Sequence, residues 1–231
     1  MKQLILKSDE VVSTIAKLGL RIKDRFPQSD LAEVCDRLHD RAKVTGSTVE
    51  WISRPNYFMR TAIVLVIAAL LLVLAYSISQ FDFQTTTLTV ADFVQITEAA
   101  LNEIVLIGAG IIFLVTFETR RKRKRVIKAA NTLRSLAHII DAHQLTKDPD
   151  RNTTISIPTE HSPKHELTDY ELGRYLDYCT EMLSLTAKLG FLYVQNFDDP
   201  VANDAVNNLE TLTTGMARKI WQKIIILISR K

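Results

Sequence analysis

The residues of this chain that could do chemistry include a set of histidines with acids beside them. His138, Asp141 and His143 lie close together in a helical pattern. Zinc ligands on one helix face sit three or four residues apart, a spacing that His138 and Asp141 have and that His143 lacks. A second set lies in a proline-rich stretch: His161 and His165, with Glu160 and Glu166. A zinc site needs these side chains to converge, so we favour solvated or capping histidines and expect no metal.

Other catalytic signatures are missing from the sequence. It contains no G-x-S-x-G nucleophile elbow and no glycine-rich phosphate loop followed by Lys-Ser or Lys-Thr. Cys35 and Cys179 are far apart in helical patterns, unlike the closely spaced cysteines of a disulfide-built secreted domain. We therefore predict two reduced thiols, no enzyme activity and no cofactor.

Two carboxylates in a base-free part of the chain suggest ion chemistry. Asp92 and Glu103 are eleven residues apart, so they share a face of any helix that includes both. Ionisable groups at membrane depth tend to face water or partners, and acidic rings around a symmetric oligomer favour cations. Gly110, Ile111 and Leu114 would then form a narrow apolar constriction. The alternative is that both acids simply end a membrane span in the outer headgroup region.

These acids belong to a long apolar block. No Lys, Arg or His occurs from Thr61 to Thr119. Its first part, Thr61 to Gln80, is uncharged over a length that crosses a hydrocarbon core of about 30 Å. It is apolar on all sides, which predicts a transmembrane helix. Pro55 suits the first turn of this helix, with Ser53 as its N-cap.

The second span is shorter. Ile104 to Phe117 is uncharged, and it reaches spanning length when extended back to Ala99. A re-entrant or buried segment is the alternative. Basic residues flank the whole block, Arg54 and Arg60 on one side and a run on the other. Because basic flanks stay in the cytoplasm, we predict two crossings, with both termini cytoplasmic in the cell inner (plasma) membrane.

The basic run that follows the second span reads RRKRKR. It consists of Arg120, Arg121, Lys122, Arg123, Lys124 and Arg125. Basic runs can bind nucleic acid or phosphoinositide-like headgroups. Placed directly after a span, the run favours contact with anionic lipid, so we expect the bilayer as a partner and no nucleic acid.

Helical hydrophobic periods occur on both sides of the block. Ser8 is a candidate N-cap for the first helix, and Ser29 or Asp30 begins the second. In the second helix the predicted inward residues alternate in steps of four and three, which is the coiled-coil period. The end of the last helix, KIWQKIIILISRK, fits either the membrane interface or core packing. The predicted inward positions are Val11, Ile15, Leu18, Ile22 and Phe26; Leu31, Cys35, Leu38, Ala42, Thr45, Val49 and Ile52; Val126, Ala130, Leu133, Ala137 and Ile140; Leu172, Tyr175, Cys179, Met182, Thr186, Leu189 and Tyr193; and Ala205, Leu209, Leu212, Met216, Ile220, Ile224 and Leu227.

The predicted fold class is all-α, a two-transmembrane-helix hairpin with a cytoplasmic helical bundle built of coiled-coil-like helices from both flanks. Since no proline occurs between Pro55 and Pro149, we expect one unbroken helix from about Val94 to Gln144. The predicted regions are N-terminal helices at 1–53, the hairpin at 54–119 (spans about 59–79 and 99–118, outer loop 80–98), the extension of the second span at 120–147, a loop at 148–168 and a C-terminal helical hairpin at 169–231.

The hairpin followed by RRKRKR resembles the small two-transmembrane helical effectors of bacterial antiphage systems, the SLATT type. The resemblance covers roughly Arg54 to Gln144 and implies an effector that oligomerises and permeabilises the membrane when a partner senses infection. We therefore expect a non-enzymatic, homo-oligomeric pore or membrane effector gated by its cytoplasmic helices. The alternative is a membrane anchor or adaptor that recruits a soluble cytoplasmic protein through the bundle.

Overall fold

The computed structural model describes residues 5–79, 90–149, 160–161 and 167–229. Within these ranges the secondary structure is helical and contains no strand, so the all-α prediction is confirmed. The helices are α1 (Ser8–Arg25), α2 (Asp30–Ser53), α3 (Tyr57–Ser79), α4 (Val90–Leu145), α5 (Asp169–Val194) and α6 (Pro200–Ile228).

The chain divides into two compact units. Pro55–Lys122 forms one of them, which we call the apolar unit, and Met1–Arg54 with Arg123–Lys231 forms the other, the bundle unit. Helix α4 contributes to both and runs without a break from Val90 to Leu145, so the expected continuous helix is confirmed. It begins at Val90, so the last part of the predicted outer connection is helical, while 80–89 lie outside the described residues.

The bundle unit is built by amphipathic helices that bury one stripe each. α5 packs on α6, α1 packs on α2, and α1 and α2 both pack on α5. The end of α4 adds its own buried stripe, which includes Val126, Leu133 and Ile140. Nearly all the predicted inward positions of α1, α2, α4 and α5 are buried, Val49 being partly buried. In α6 the predicted positions Leu209, Met216, Ile220, Ile224 and Leu227 are buried, whereas Leu212 is partly buried and Thr213 is buried in its place.

The helix directions follow from contacts at the ends of the helices. In the bundle unit α4 begins at Arg123, which forms an ion pair with Asp199 at the start of α6. Near the C-terminal end of α4, Gln144 accepts a hydrogen bond from Lys223 of α6. α4 and α6 therefore run parallel. α5 runs antiparallel to both, because the short segment 195–199 joins its end to the start of α6.

Several helix ends have side-chain caps that the sequence indicates. α2 begins at Asp30, one of the two predicted starts, and the Ser29 hydroxyl accepts from the Leu31 N–H. Thr168 and Glu171 form a reciprocal capping box at the start of α5. Asp199 caps α6 by accepting from the Ala202 N–H, with Pro200 following in the first turn.

Two predicted caps are wrong. Ser8 is the first residue of α1, and the capping position is Lys7, which makes no side-chain cap; the Ser8 hydroxyl faces Asp9 instead. Ser53 is the last residue of α2, and its hydroxyl donates to the Glu50 carbonyl. Asn56 caps α3 in its place, because its side-chain oxygen accepts from the Met59 N–H at 3.1 Å.

The apolar unit contains α3 and the first part of α4. Two helical stretches are long and apolar enough to span a membrane. The first is Asp30–Leu72, which takes in α2 and most of α3, and its most apolar 18 residues have a mean hydropathy of 1.7. The second is Phe93–Leu145, and its most apolar 18 residues have a mean hydropathy of 2.1. Of the described residues in each of these 18-residue segments, 0% are buried inside the structure. A core helix of a soluble protein would have most of that surface covered.

Candidate functional site

In the apolar unit, charged side chains gather around the carboxylate of Glu118 at the end of the second apolar run. Glu118 Oε2 lies 3.1 Å from Arg60 Nε, and Oε1 lies 2.8 Å from Lys122 Nζ. The Asn56 N–H also donates to Oε1, at 3.3 Å. The side chains of Glu118 and Lys122 are only 11% and 10% exposed. One acid thus connects the start of α3 to α4, 58 residues further along the chain.

The Glu118 cluster is a costly arrangement to break. Charges taken out of water need partners, and removing one member of a buried group leaves the rest uncompensated. The cluster also satisfies a backbone N–H in the segment that leads into α3. Its geometry therefore holds the entrance of α3 against α4 within the apolar unit.

In the bundle unit, Arg123 makes a two-pronged contact with Asp199. Arg123 Nε lies 3.0 Å from Asp199 Oδ1, and Nη2 lies 2.7 Å from Oδ2. Asp199 Oδ1 also accepts the Ala202 N–H at 2.9 Å. Burial raises the pKa of Asp199, but the hydrogen bonds from Arg123 and from the backbone outweigh it and hold the pKa below its ordinary value. The carboxylate therefore stays charged and keeps both its roles, as ion partner and as helix cap.

Two further members of the basic run lie over aromatic rings. The Arg125 guanidinium carbon is 4.0 Å from the centre of the Trp51 ring in the bundle unit. The Arg120 guanidinium carbon is 5.7 Å from the centre of the Phe113 ring in the apolar unit. Such placements favour the cation by its attraction to the ring face. Arg121 and Lys124 are exposed, so they are the members best placed for the predicted contact with lipid headgroups.

The C-terminal end of α4 is capped by a lysine from α6. Lys223 Nζ donates to the Gln144 carbonyl at 2.9 Å, to Gln144 Oε1 at 2.8 Å and to the Lys147 carbonyl at 3.1 Å. A cation at this end also opposes the partial negative charge of the helix terminus. α4 and α6 are therefore attached to each other near both ends of their shared length.

The predicted pore-lining residues all lie on α4. Asp92 and Glu103 are within the helix, while their side chains lie outside the described part of the structure. Asp92, Glu103 and Leu114 follow each other at intervals of eleven residues, so they lie on nearly one face. Gly110, Ile111 and Leu114 are partly covered, and Leu114 and Ile111 precede Glu118 by four and seven residues, on its side of the helix.

The histidines do not form a cluster in the described residues. His138 is exposed and His143 is half-buried on α4. His161 lies in the short described piece of the loop, while His165 and Glu166 lie outside the described residues. Across residues 5–79, 90–149, 160–161 and 167–229, no three His, Cys, Asp or Glu side chains come together as a metal site.

Sequence reasoning missed the roles of Glu118 and Asp199. Their partners lie 58 and 76 residues away, and no local pattern predicts such pairs. One signal was present, since an acid within the last turns of an apolar helix requires a partner. No family model, no curated protein and no solved structure matches this chain.

Proposed function

We propose that this protein is a non-enzymatic, homo-oligomeric membrane effector whose two apolar helices cross the inner membrane and line a cation path. The bundle unit gates this path from the cytoplasm. The resemblance to SLATT-type effectors agrees with the proposal and rests on architecture alone.

The observation that carries the proposal is the exposed apolar surface of α3 and α4. On α3, the consecutive residues Val64, Leu65 and Val66 are 63%, 64% and 46% exposed. On α4, Ile104, Val105 and Leu106 show the same pattern. Consecutive helix residues point about 100° apart, so three in a row cover more than half of the circumference. A helix that is apolar all round needs an apolar surrounding, and a lipid bilayer supplies one.

The charge distribution supports two crossings with a cytoplasmic bundle. Arg60 and the basic run flank the apolar helices, while the connection between them carries acids and no base. Basic residues near short spans stay on the cytoplasmic side. This arrangement leaves the bundle unit in the cytoplasm, where its exposed charged faces are solvated.

Gating follows from the continuity of α4. The same helix carries Glu103 in the apolar unit and the buried stripe of the bundle unit. A helix of this kind transmits displacement because its backbone hydrogen bonds are unbroken. We infer that a signal received by the bundle moves α4 and changes the width of the path at Leu114.

The test is cation flux into proteoliposomes that contain the full chain. We expect flux, and Glu103→Gln is expected to lower the preference for cations over anions. The matched control is Glu98→Gln, which removes the same charge from α4 at a position about 140° around the helix from Glu103. Absence of flux under every condition tried, or equal selectivity in parent and Glu103→Gln, would reject the pore.

The second candidate is an anchor or adaptor, and a surface of the bundle unit favours it. A groove between α5 and α6 is lined by small residues such as Ser184, Ala187 and Ala217. Phe191 also lines this groove and Trp221 lines a neighbouring pocket that shares Ser184 and Ala217 with it; both aromatic side chains are exposed. Such a groove fits the apolar face of an amphipathic helix. If the proteoliposomes conduct nothing while the chain is stably inserted, the adaptor is the function to pursue.

A further inference from the structure

A cavity of about 300 Å³ lies between α2, α4 and α5 in the bundle unit. This is the lower end of the size range of ligand pockets. Three of its ten lining residues are cationic and none is acidic: the lining consists of Arg41, Val44, Thr45, Thr48, Arg125, Lys128, Ala129, Thr132, Leu133 and Tyr193. The cations come from two helices, Arg41 from α2 and the other two from α4.

The positive charge of this cavity is not balanced by the surrounding residues. Among the described residues, neither Arg41, Arg125 nor Lys128 has an acid within 4.0 Å. Three like charges on residues that line one cavity repel each other, and a bound anion relieves the repulsion. Arg125 is also held in place by the Trp51 ring, so part of the site is already ordered.

The hydroxyl groups of the lining are already satisfied. Thr48 and Thr132 donate to backbone carbonyls one turn earlier. Thr45 donates to the Arg41 carbonyl at 2.8 Å, so the 3.0 Å contact with Tyr193 is one in which Tyr193 donates. The donors that remain for a ligand are the charged groups of Arg41, Arg125 and Lys128. A ligand that matches them is an acceptor with several oxygens and negative charge, which describes a phosphate group.

The position of the cavity along α4 indicates where the phosphate comes from. Arg125 and Lys128 follow Arg120 by five and eight residues in the sequence, so they come just after the predicted second span. Arginine and lysine side chains near the end of a membrane helix extend towards the headgroup layer. Basic pockets on the cytoplasmic side of membrane spans are suited to anionic lipid headgroups.

We propose that the cavity lined by Arg41, Arg125 and Lys128 binds a phosphate-bearing anion, which the headgroup of an anionic phospholipid supplies. The lipid source rests on the proposed membrane function, whereas the phosphate chemistry does not. A bound phosphate joins α2 to α4 through their cations. It therefore stabilises the packing of the two bundle helices that adjoin the apolar unit in the sequence.

The experiment measures binding to the full chain in neutral detergent micelles, by native mass spectrometry and by the shift in Tm. The probes are short-chain phosphatidylglycerol, glycerol 3-phosphate and, as a neutral lipid, phosphatidylcholine. Each charge removed from the site by Arg41→Gln or Lys128→Gln is expected to weaken binding about fivefold, the factor that corresponds to about 1 kcal/mol per basic residue near a lipid surface. The double variant is expected to weaken it about 25-fold on the same basis.

The matched control is Lys219→Gln, which removes one lysine charge from an exposed position of α6 that neither lines the cavity nor belongs to the basic run. It is expected to bind as the parent does. Equal weakening by Lys219→Gln and Lys128→Gln would show diffuse attraction and overturn the site, as would equal binding of phosphatidylcholine or no binding of either phosphate probe. Binding of phosphatidylglycerol alone identifies the lipid as the source, and equal binding of glycerol 3-phosphate identifies a free phosphate compound and overturns the lipid source. Because these measurements need no conduction, their failure is separate from failure of the flux assay.

Discussion

Gly190 of α5 lies against Leu209 and Val206 of α6, and replacing it tests the packing of the bundle unit. A methyl group at this position would lie 2.7 Å from Leu209 Cδ2 and 3.7 Å from Val206 Cγ1. Leu209 is fully buried, so any movement of its side chain disturbs the packing of the core around it. The substitution Gly190→Ala therefore forces a core side chain or the helix itself to shift.

The expected magnitude follows from two opposing effects. Overpacking of a well-filled core costs about 1 to 3 kcal/mol, while alanine in a helix is favoured over glycine by about 1 kcal/mol. Gly190→Ala should therefore change the free energy of unfolding by between zero and about −2 kcal/mol. Gly173, in the same helix, is the matched control, because a methyl group there meets no other atom within 4 Å. Gly173→Ala should stabilise the protein by about 1 kcal/mol.

Tryptophan fluorescence can follow the unfolding of this unit alone. The chain has two tryptophans, Trp51 and Trp221, and both belong to the bundle unit. In thermal unfolding of the full chain in detergent, 1 kcal/mol corresponds to about 2 to 4 °C in Tm for a domain of this size. Gly173→Ala should therefore exceed Gly190→Ala by about 2 to 12 °C. If Gly190→Ala raises Tm as much as Gly173→Ala does, the close contact with Leu209 is absent and the reasoning fails.

Three further predictions concern thiols, acid stability and topology. Burial raises the pKa of Cys35 to about 11 and of Cys179 to about 12, so neither thiol should react with iodoacetamide at about pH 8 until the chain is denatured; two rapid reactions in the folded protein would contradict the structure. The pKa of Asp199 is lower in the folded chain than its ordinary 3.8, so its contribution to stability is complete above that value and disappears as pH falls through the folded value. Tm measured between about pH 6 and about pH 3 should therefore fall more steeply for the parent than for Asp199→Asn. Since the native thiols are protected, Thr86→Cys should be labelled by a membrane-impermeant maleimide from outside intact cells, and labelling only after lysis would reject the topology.

The sequence predicted the buried faces well because they obey a local rule. Ile15, Leu18 and Ile22 follow at helical spacing and are all fully buried, since any helix with one apolar stripe must turn that stripe inward. The predicted buried position at the start of α6 was wrong because this local rule is weak there. Ala202 and Val206 are buried where Ala205 was expected, because small residues define a stripe too weakly to fix its phase.

The candidate site was much less predictable. The run RRKRKR is visible in the sequence, but the different surroundings of Lys122 and Arg123 are not. The Lys122 side chain is nearly buried against Glu118, whereas Arg123 forms an ion pair with Asp199, 76 residues further along the chain. The roles of these two basic residues depend on which helix lies beside each of them, and the packing of the whole chain determines that. The apolar cores decide the packing, and the charged pairs form where it brings them together.

The two attachments between α4 and α6 determine what kind of motion the bundle unit can pass on. Arg123 holds Asp199 near one end of the shared length, and Gln144 holds Lys223 near the other. Sliding α4 along α6 by more than a small part of a turn breaks both attachments at once. A small axial push is therefore resisted, whereas the two helices can tilt together as a single lever with both attachments intact. If the bundle unit gates the path as proposed, a stimulus that reaches it is delivered to α4 as torque.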